Sequence, residues 1–184
     1  PYKTLTWEQV DEIINRAANI ILQTDLGEKR RIAVFAENAA ETALAHLGGL
    51  FGGASSVPVN FHLTADETGY ILKDSESKIL FIDDKTAERG IQAAQEAGID
   101  LVIGWNCEKY ENVTNWDDWL MTGSADTSPD AVTPRPNLLY TSGTTGLPKG
   151  TELPPTMFAG GSTMTEHIQG LSQSGFAEFG THLV

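Results

Sequence analysis

Residues 31–60 read RIAVFAENAAETALAHLGGLFGGASSVPVN, and their pattern decides the fold. Residues 31–36 form a short apolar run, which predicts a buried strand. Residues 39–51 follow with a small-residue face and predict a helix, with Asn38 and Glu41 at cap spacing. Gly48, Gly49, Gly52 and Gly53 suit a helix that packs closely and then stops. Residues 55–60 predict the next strand. Strand, helix, strand in this order is the unit of a parallel sheet with right-handed crossovers.

The same alternation runs outward in both directions. Residues 6–22 predict an amphipathic helix. Thr6 and Gln9 form a capping-box pair, and Val10, Ile13, Ile14, Ala17, Ile20 and Ile21 recur at helical spacing. Thr64 and Glu67 form another box, opening a helix through Leu72. Residues 78–82 and 100–104 predict strands, and residues 86–97 a helix closed by Gly98. The fold class is therefore α/β, with parallel-sheet layers and helices on both faces. Asp83 and Asp84 could bind a metal, but at a strand-to-helix junction paired aspartates more often cap the helix. Residues 114–120 predict a short capped helix whose Trp116 and Trp119, with Trp105, cover the core; packing outweighs stacking on a base.

Composition narrows the function classes. The chain has 184 residues, 40% apolar and 20% charged, with a formal net charge of −13. Such acidity argues against a nucleic-acid or anionic-membrane partner. An anionic substrate must then be attracted locally. The single cysteine, Cys107, excludes an internal disulfide framework and fits a reducing, cytoplasmic compartment. Cys107 also lacks a nearby His or basic group to activate it, so it is not read as catalytic. His46 has no Cys, Asp or Glu at metal spacing and reads as a packed or surface histidine. His167 and His182 read as structural. No apolar run is long enough to span a bilayer, no signal peptide opens the chain, and the sequon Asn112-Val113-Thr114 is taken as chance. The start at Pro1 and the strand-like last residues suggest a fragment or N-terminal part of a longer protein.

Residues 122–136 are rich in Ser, Thr, Asp and Pro and read as an exposed connector. Residues 137–141 then predict a strand that delivers the run Y-T-S-G-T-T-G-L-P-K-G at residues 140–150. Ligands of open parallel sheets lie outside the carboxyl ends of strands, which suits this placement. Pro155 is placed to start a following helix, weakened by Gly160 and Gly161. In the run itself, glycines free backbone N–H groups to approach a ligand, and successive N–H groups form a concave anion site. Thr141, Ser142, Thr144 and Thr145 add hydroxyl donors, and Lys149 adds a mobile charge suited to phosphate. A solvated turn is the bland alternative, and the ordered run S-G-T-T-G-L-P-K-G outweighs it. It is neither a Walker A loop, since no Ser or Thr follows Lys149, nor a G-x-G-x-x-G turn.

The run resembles the signature loop of the adenylate-forming superfamily. That superfamily includes acyl-CoA synthetases, adenylation domains of peptide synthetases and luciferases. Weaker similarity extends over Leu5-Thr6-Trp7, Pro58-Val59-Asn60, Leu63-Thr64, residues 70–75, Phe81-Ile82-Asp83 and residues 116–120. One departure stands out: members commonly follow the loop with an apolar strand and then Thr-His, where this chain has Thr151-Glu152-Leu153-Pro154-Pro155.

The resemblance implies that residues 1–184 are an incomplete N-terminal portion of the AMP-binding large domain, lacking the C-terminal domain. It implies an AMP-forming acid–thiol ligase. A carboxylic acid, here a fatty or other hydrophobic acid, becomes an acyl-adenylate at the expense of ATP and is then transferred to CoA. The chain alone would be inactive. It also implies magnesium held by ligands outside this chain, and it leaves room for a homo-oligomer. Thr141, Ser142, Gly143, Thr144 and Thr145 would cradle the β- and γ-phosphates. Lys149 would be the catalytic cation, and Gly146 and Gly150 hinges. Two alternatives stand beside this: an adenylation domain that loads a carrier protein, and a non-catalytic nucleotide-binding module.

Overall fold

The structure is a computed structural model that describes residues 4–141, 147–152 and 161–173. Its centre is a five-stranded parallel sheet in the order β2-β1-β3-β4-β5. The strands are β1 (Arg31–Phe35), β2 (Ser55–Pro58), β3 (Ile79–Asp83), β4 (Leu101–Trp105) and the two-residue β5 (Thr114–Asn115). The helices α1 (Trp7–Gln23), α2 (Ala40–Phe51), α3 (Ala65–Asp74), α4 (Ala87–Ala97) and α5 (Trp116–Met121) cover it. A separate antiparallel pair, β6 (Leu138–Thr141) and β7 (Lys149–Glu152), and a last helix, α6 (Met164–Gln173), follow.

The sheet forms because its strands are apolar on both sides. Successive side chains of a strand point to opposite faces. Ile32 and Val34 of β1 and Ile79 and Phe81 of β3 enter one core with Ala17 and Ile21 of α1, Leu44 of α2 and Trp116 and Trp119 of α5. Ala33, Phe35, Leu80 and Ile82 enter the other core with Ile71 and Leu72 of α3 and Ala93 and Ala94 of α4. Helices on both faces are thus what the alternation predicts. α1 and α2 approach closely at Gly48, where an added Cβ would lie 2.6 Å from Ala17 Cβ.

The capping boxes at Thr6 and Thr64 are both formed; each such cap stabilises by about 1 kcal/mol. Gly98 closes α4 in the left-handed conformation, at φ 70°. Asp83 acts as a cap, its Oδ1 accepting from the Lys85 and Thr86 backbone N–H groups and the Thr86 hydroxyl. Its other oxygen accepts from Glu37 N at 2.9 Å, tying β3 to the turn after β1. The tryptophans pack as expected: Trp105, Trp116 and Trp119 are buried, and Phe81 meets Trp116 and Trp119 edge-on.

Four expectations are corrected. Asn38 does not cap α2: the helix starts at Ala40, so the N-cap position falls on Ala39, which has no side chain able to accept a bond. The piece before α5 is more than a cap: Thr114 and Asn115 extend the sheet beside Ile103 and Gly104, while Asn115 also caps α5. The strand at 138–141 does not join the parallel sheet. Its hydrogen-bonded partner is β7, so the loop between them closes a hairpin. Gly161 lies ahead of α6, not inside a helix, and Ser162 N, Ser162 Oγ and Thr163 Oγ1 bond Glu166 across the first turn. Pro155 and Gly160 lie outside the described residues.

The connector at 122–136 has neither helix nor strand and is mostly exposed, with Val132 and Pro134 buried. It is strapped by polar bonds. Arg16 Nη1 donates to Gly123 O, Asn19 Nδ2 to Ser124 O, and Ser128 N to Asn15 Oδ1. Asp130 then accepts from Met164 N and Thr165 N and caps α6.

Candidate functional site

The hairpin pairs Leu138 with Glu152, Leu139 with Thr151, Tyr140 with Gly150 and Thr141 with Lys149. The Thr141–Lys149 pair therefore closes residues 142–148 into one loop. Ser142, Gly143, Thr144, Thr145 and Gly146 lie outside the described residues. Of the candidate site residues, the structure brings together Thr141, Lys149 and Gly150, and all three are exposed. Leu147, between the described edges of the loop, is 58% exposed. The flanks are thus open to solvent, as a binding loop needs, and a cation on one strand stands across from a hydroxyl on the other.

The base of the hairpin is held by side chains. Among its described residues Leu138 alone is buried, entering the core that holds Val57 and Leu80. Ser55 Oγ donates to Pro136 O at 2.7 Å, just ahead of β6. Tyr140 Oη donates to Asp74 Oδ2 at 2.6 Å. Burial first, then the Asp74 bond and charge, push the Tyr140 phenol well above its ordinary pKa, so it stays a donor at neutral pH. Arg31 Nη2 bonds Glu152 Oε1 at 2.7 Å, and Arg31 Nη1 donates to Ser75 O at 3.1 Å. Gly150 sits inside the ladder opposite Tyr140, where an added Cβ would lie 3.1 Å from Leu138 Cδ1 and 3.2 Å from Tyr140 Cζ. Sequence reasoning missed Arg31 and Asp74. The signal available was Glu152, a charge where the resemblance expects an apolar residue.

The remaining candidates fall away from this site. Cys107 is buried, and its thiol is pushed up to about 12 by burial and then by Asp83, Asp84 and Glu108. That makes it a poor nucleophile at neutral pH. His46 is half-buried, its Nδ1 is 2.6 Å from Ser56 Oγ, and burial lowers its pKa. Ser56 is 1% exposed, so the pair ties α2 to the buried strand β2. His167 is buried in α6, and His182 lies outside the described residues. A cavity of about 670 Å³ opens beside β4 and β5, but its rim carries Asp100, Glu111 and Asp118, which would repel a polyphosphate. Among the described residues no group of three or more His, Cys, Asp or Glu side chains is placed to hold a metal ion. Among them also, no helix is long and apolar enough to cross a membrane.

Comparison with known proteins identifies the family and the fold. The family model described as AMP-binding enzyme matches residues 1–161. The fatty acid–[acyl-carrier-protein] ligase ScoC of Streptomyces coeruleorubidus is 33% identical over 156 residues, covering 82% of this chain and 28% of that protein. The long-chain-fatty-acid–CoA ligase FadD13 of Mycobacterium tuberculosis is 30% identical over 154 residues, covering 79% of this chain and 29% of that protein. The inhibitor-bound N-terminal domain of FACL13 from Mycobacterium tuberculosis superposes with a TM-score of 0.64 at 28% identity, over 81% of this chain and 37% of that one. The chain therefore spans less than a third of the length of these two curated relatives.

Proposed function

The chain belongs to the AMP-binding enzyme family, and from that premise we propose that it supplies the phosphate-gripping part of an ATP-dependent acid–thiol ligase. The substrate is a carboxylic acid, with a fatty acid the first choice. A carboxylate oxygen attacks the α-phosphorus of ATP, and the bond to the bridging oxygen breaks. Acyl-adenylate and pyrophosphate result. The thiol of CoA then attacks the acyl carbon, loses its proton and displaces AMP. The chain by itself is proposed to be inactive, since the acid and adenine contacts are assigned to later segments.

Catalysis of such steps depends on positioning and on charge stabilisation. In this reading Thr141, Ser142, Gly143, Thr144 and Thr145 hold the β- and γ-phosphates by hydroxyl and amide donors. Lys149 offsets the charge that builds on pyrophosphate as it leaves. Gly146 serves as the hinge of the closing loop; the ladder position of Gly150 argues for packing there in place of hinging. The single observation that supports the reading is the exposed pairing of Lys149 with Thr141 at the mouth of a glycine- and hydroxyl-rich loop.

The test is ATP–pyrophosphate exchange by Lys149→Ala in the full-length polypeptide. Loss of about 10²-fold or more is expected for removal of a charge-stabilising group. Unchanged exchange contradicts the assignment. A second reading takes a carrier protein as acceptor, and the similarity to a fatty acid–[acyl-carrier-protein] ligase favours it. Mass spectrometry of products formed with CoA and with a carrier protein separates the two.

A further inference from the structure

The two strands of the hairpin are tied to one point of the parallel-sheet lobe. Tyr140, one residue before the loop's described edge at Thr141, reaches Asp74, the last residue of α3. Glu152, on the returning strand, reaches Arg31, which also grips the carbonyl of Ser75, the C-cap of α3. The two links converge on consecutive residues of one helix end. Gly150 makes room for this. A Cβ there would meet Tyr140 Cζ at 3.2 Å, Tyr140 Oη at 3.3 Å and Leu138 Cδ1 at 3.1 Å. The bare backbone lets the tyrosine ring lie across β7 with its hydroxyl on Asp74.

A two-stranded hairpin is marginal by itself, and β7 is exposed along its whole length. Its orientation must come from links to the lobe. We propose that Tyr140 with Asp74, and Arg31 with Glu152, form a latch that fixes the base of the 141–150 loop, with Gly150 as the gap that admits the tyrosine ring. These are positioning residues that act through the base of the loop. The inference rests on the reading of the loop as a phosphate holder. Tilting the base moves the donors at Thr141 and Lys149 off the phosphates, which weakens ATP binding. The latch also gives a purpose to Glu152, the departure from the family pattern.

The experiment is made on the full-length polypeptide, with ATP–pyrophosphate exchange measured against ATP concentration and hydrogen–deuterium exchange followed over residues 138–152. Tyr140→Phe and Asp74→Ala each lose one charge-assisted bond. They should raise KM for ATP about fivefold, change kcat by less than about twofold, and speed amide exchange in the hairpin. Asp74→Asn keeps an acceptor oxygen and should return KM to within about twofold of the parent. Gly150→Ala should mimic Tyr140→Phe and add little on top of it, as expected of coupled residues. Lys149→Ala is the separate control on the loop's own role. If Lys149→Ala damages exchange while Tyr140→Phe, Asp74→Ala and Gly150→Ala leave KM and hairpin amides unchanged, the latch is overturned and the phosphate reading stands. If Lys149→Ala has no effect, the phosphate reading itself fails, and the latch as a catalytic device falls with it. A general loss of stability and activity that Asp74→Asn does not rescue also overturns the latch.

Discussion

The parallel-sheet lobe and the β6–β7 hairpin are held by different forces. Every residue of β3 is buried, and so are residues 32–35 of β1. Every residue of β7 is exposed, and Leu138 is the one buried residue of β6. The lobe is therefore fixed by apolar burial, at roughly 25 cal/mol per Å² removed from water. The hairpin is fixed by the burial of Leu138, the packing of Tyr140 and a few polar links, each link worth about 1 kcal/mol or less where water reaches it. Segments with few buried apolar contacts open at lower cost than a packed core, so the hairpin is expected to exchange its amides faster than the lobe.

The largest way to break this contrast lies in the lobe. Phe81→Ala removes the ring on which Trp116 and Trp119 pack edge-on, and should cost about 3–5 kcal/mol. Thermal or urea unfolding reads it, and a shift below about 1 kcal/mol would mean that the aromatic cluster is not the centre of the core. A smaller effect comes from pH. Because burial raises the Cys107 thiol from 9.0 to about 12, the folded protein keeps that proton after the unfolded chain has lost it. Stability should be unaffected by this group below about pH 8.5, then fall above it by up to about 1.4 kcal/mol per pH unit until the folded thiol also ionises. Cys107→Ala should flatten that alkaline slope, and an unaltered slope contradicts the assignment. The smallest effect sharpens the contrast. Glu152→Ala removes a pair whose acidic side chain is 48% exposed, so global stability should change by no more than about 1 kcal/mol. Amides of β7 should nevertheless exchange faster while those of β3 do not change. Equal acceleration in both would show that hairpin and lobe open together.

The same contrast decides what could be read from the sequence. β1 and β3 were legible because strands buried on both faces read as continuous apolar runs. The caps at Thr6 and Thr64 were legible because each lies within one helical turn. β5 was not, since two residues carry no periodicity. The partner of β6 was not either. Leu138-Leu139-Tyr140-Thr141 suits a parallel or an antiparallel strand equally, and only the return of residues 149–152 settles it. At the site, the loop was legible as a local run of glycines, hydroxyls and a lysine. Its supports were not, because Tyr140 meets Asp74 across 66 positions and Arg31 meets Glu152 across 121. Pairings at such separation leave no spacing signal.

In the proposed function the loop bounded by Thr141 and Lys149 holds the phosphates of ATP. Hydrogen–deuterium exchange of the full-length polypeptide, with and without saturating ATP, tests it most directly. The account predicts slowed exchange across 141–150 on nucleotide addition, with β1 and β3 unchanged. Protection appearing elsewhere while 141–150 exchanges as before would contradict it.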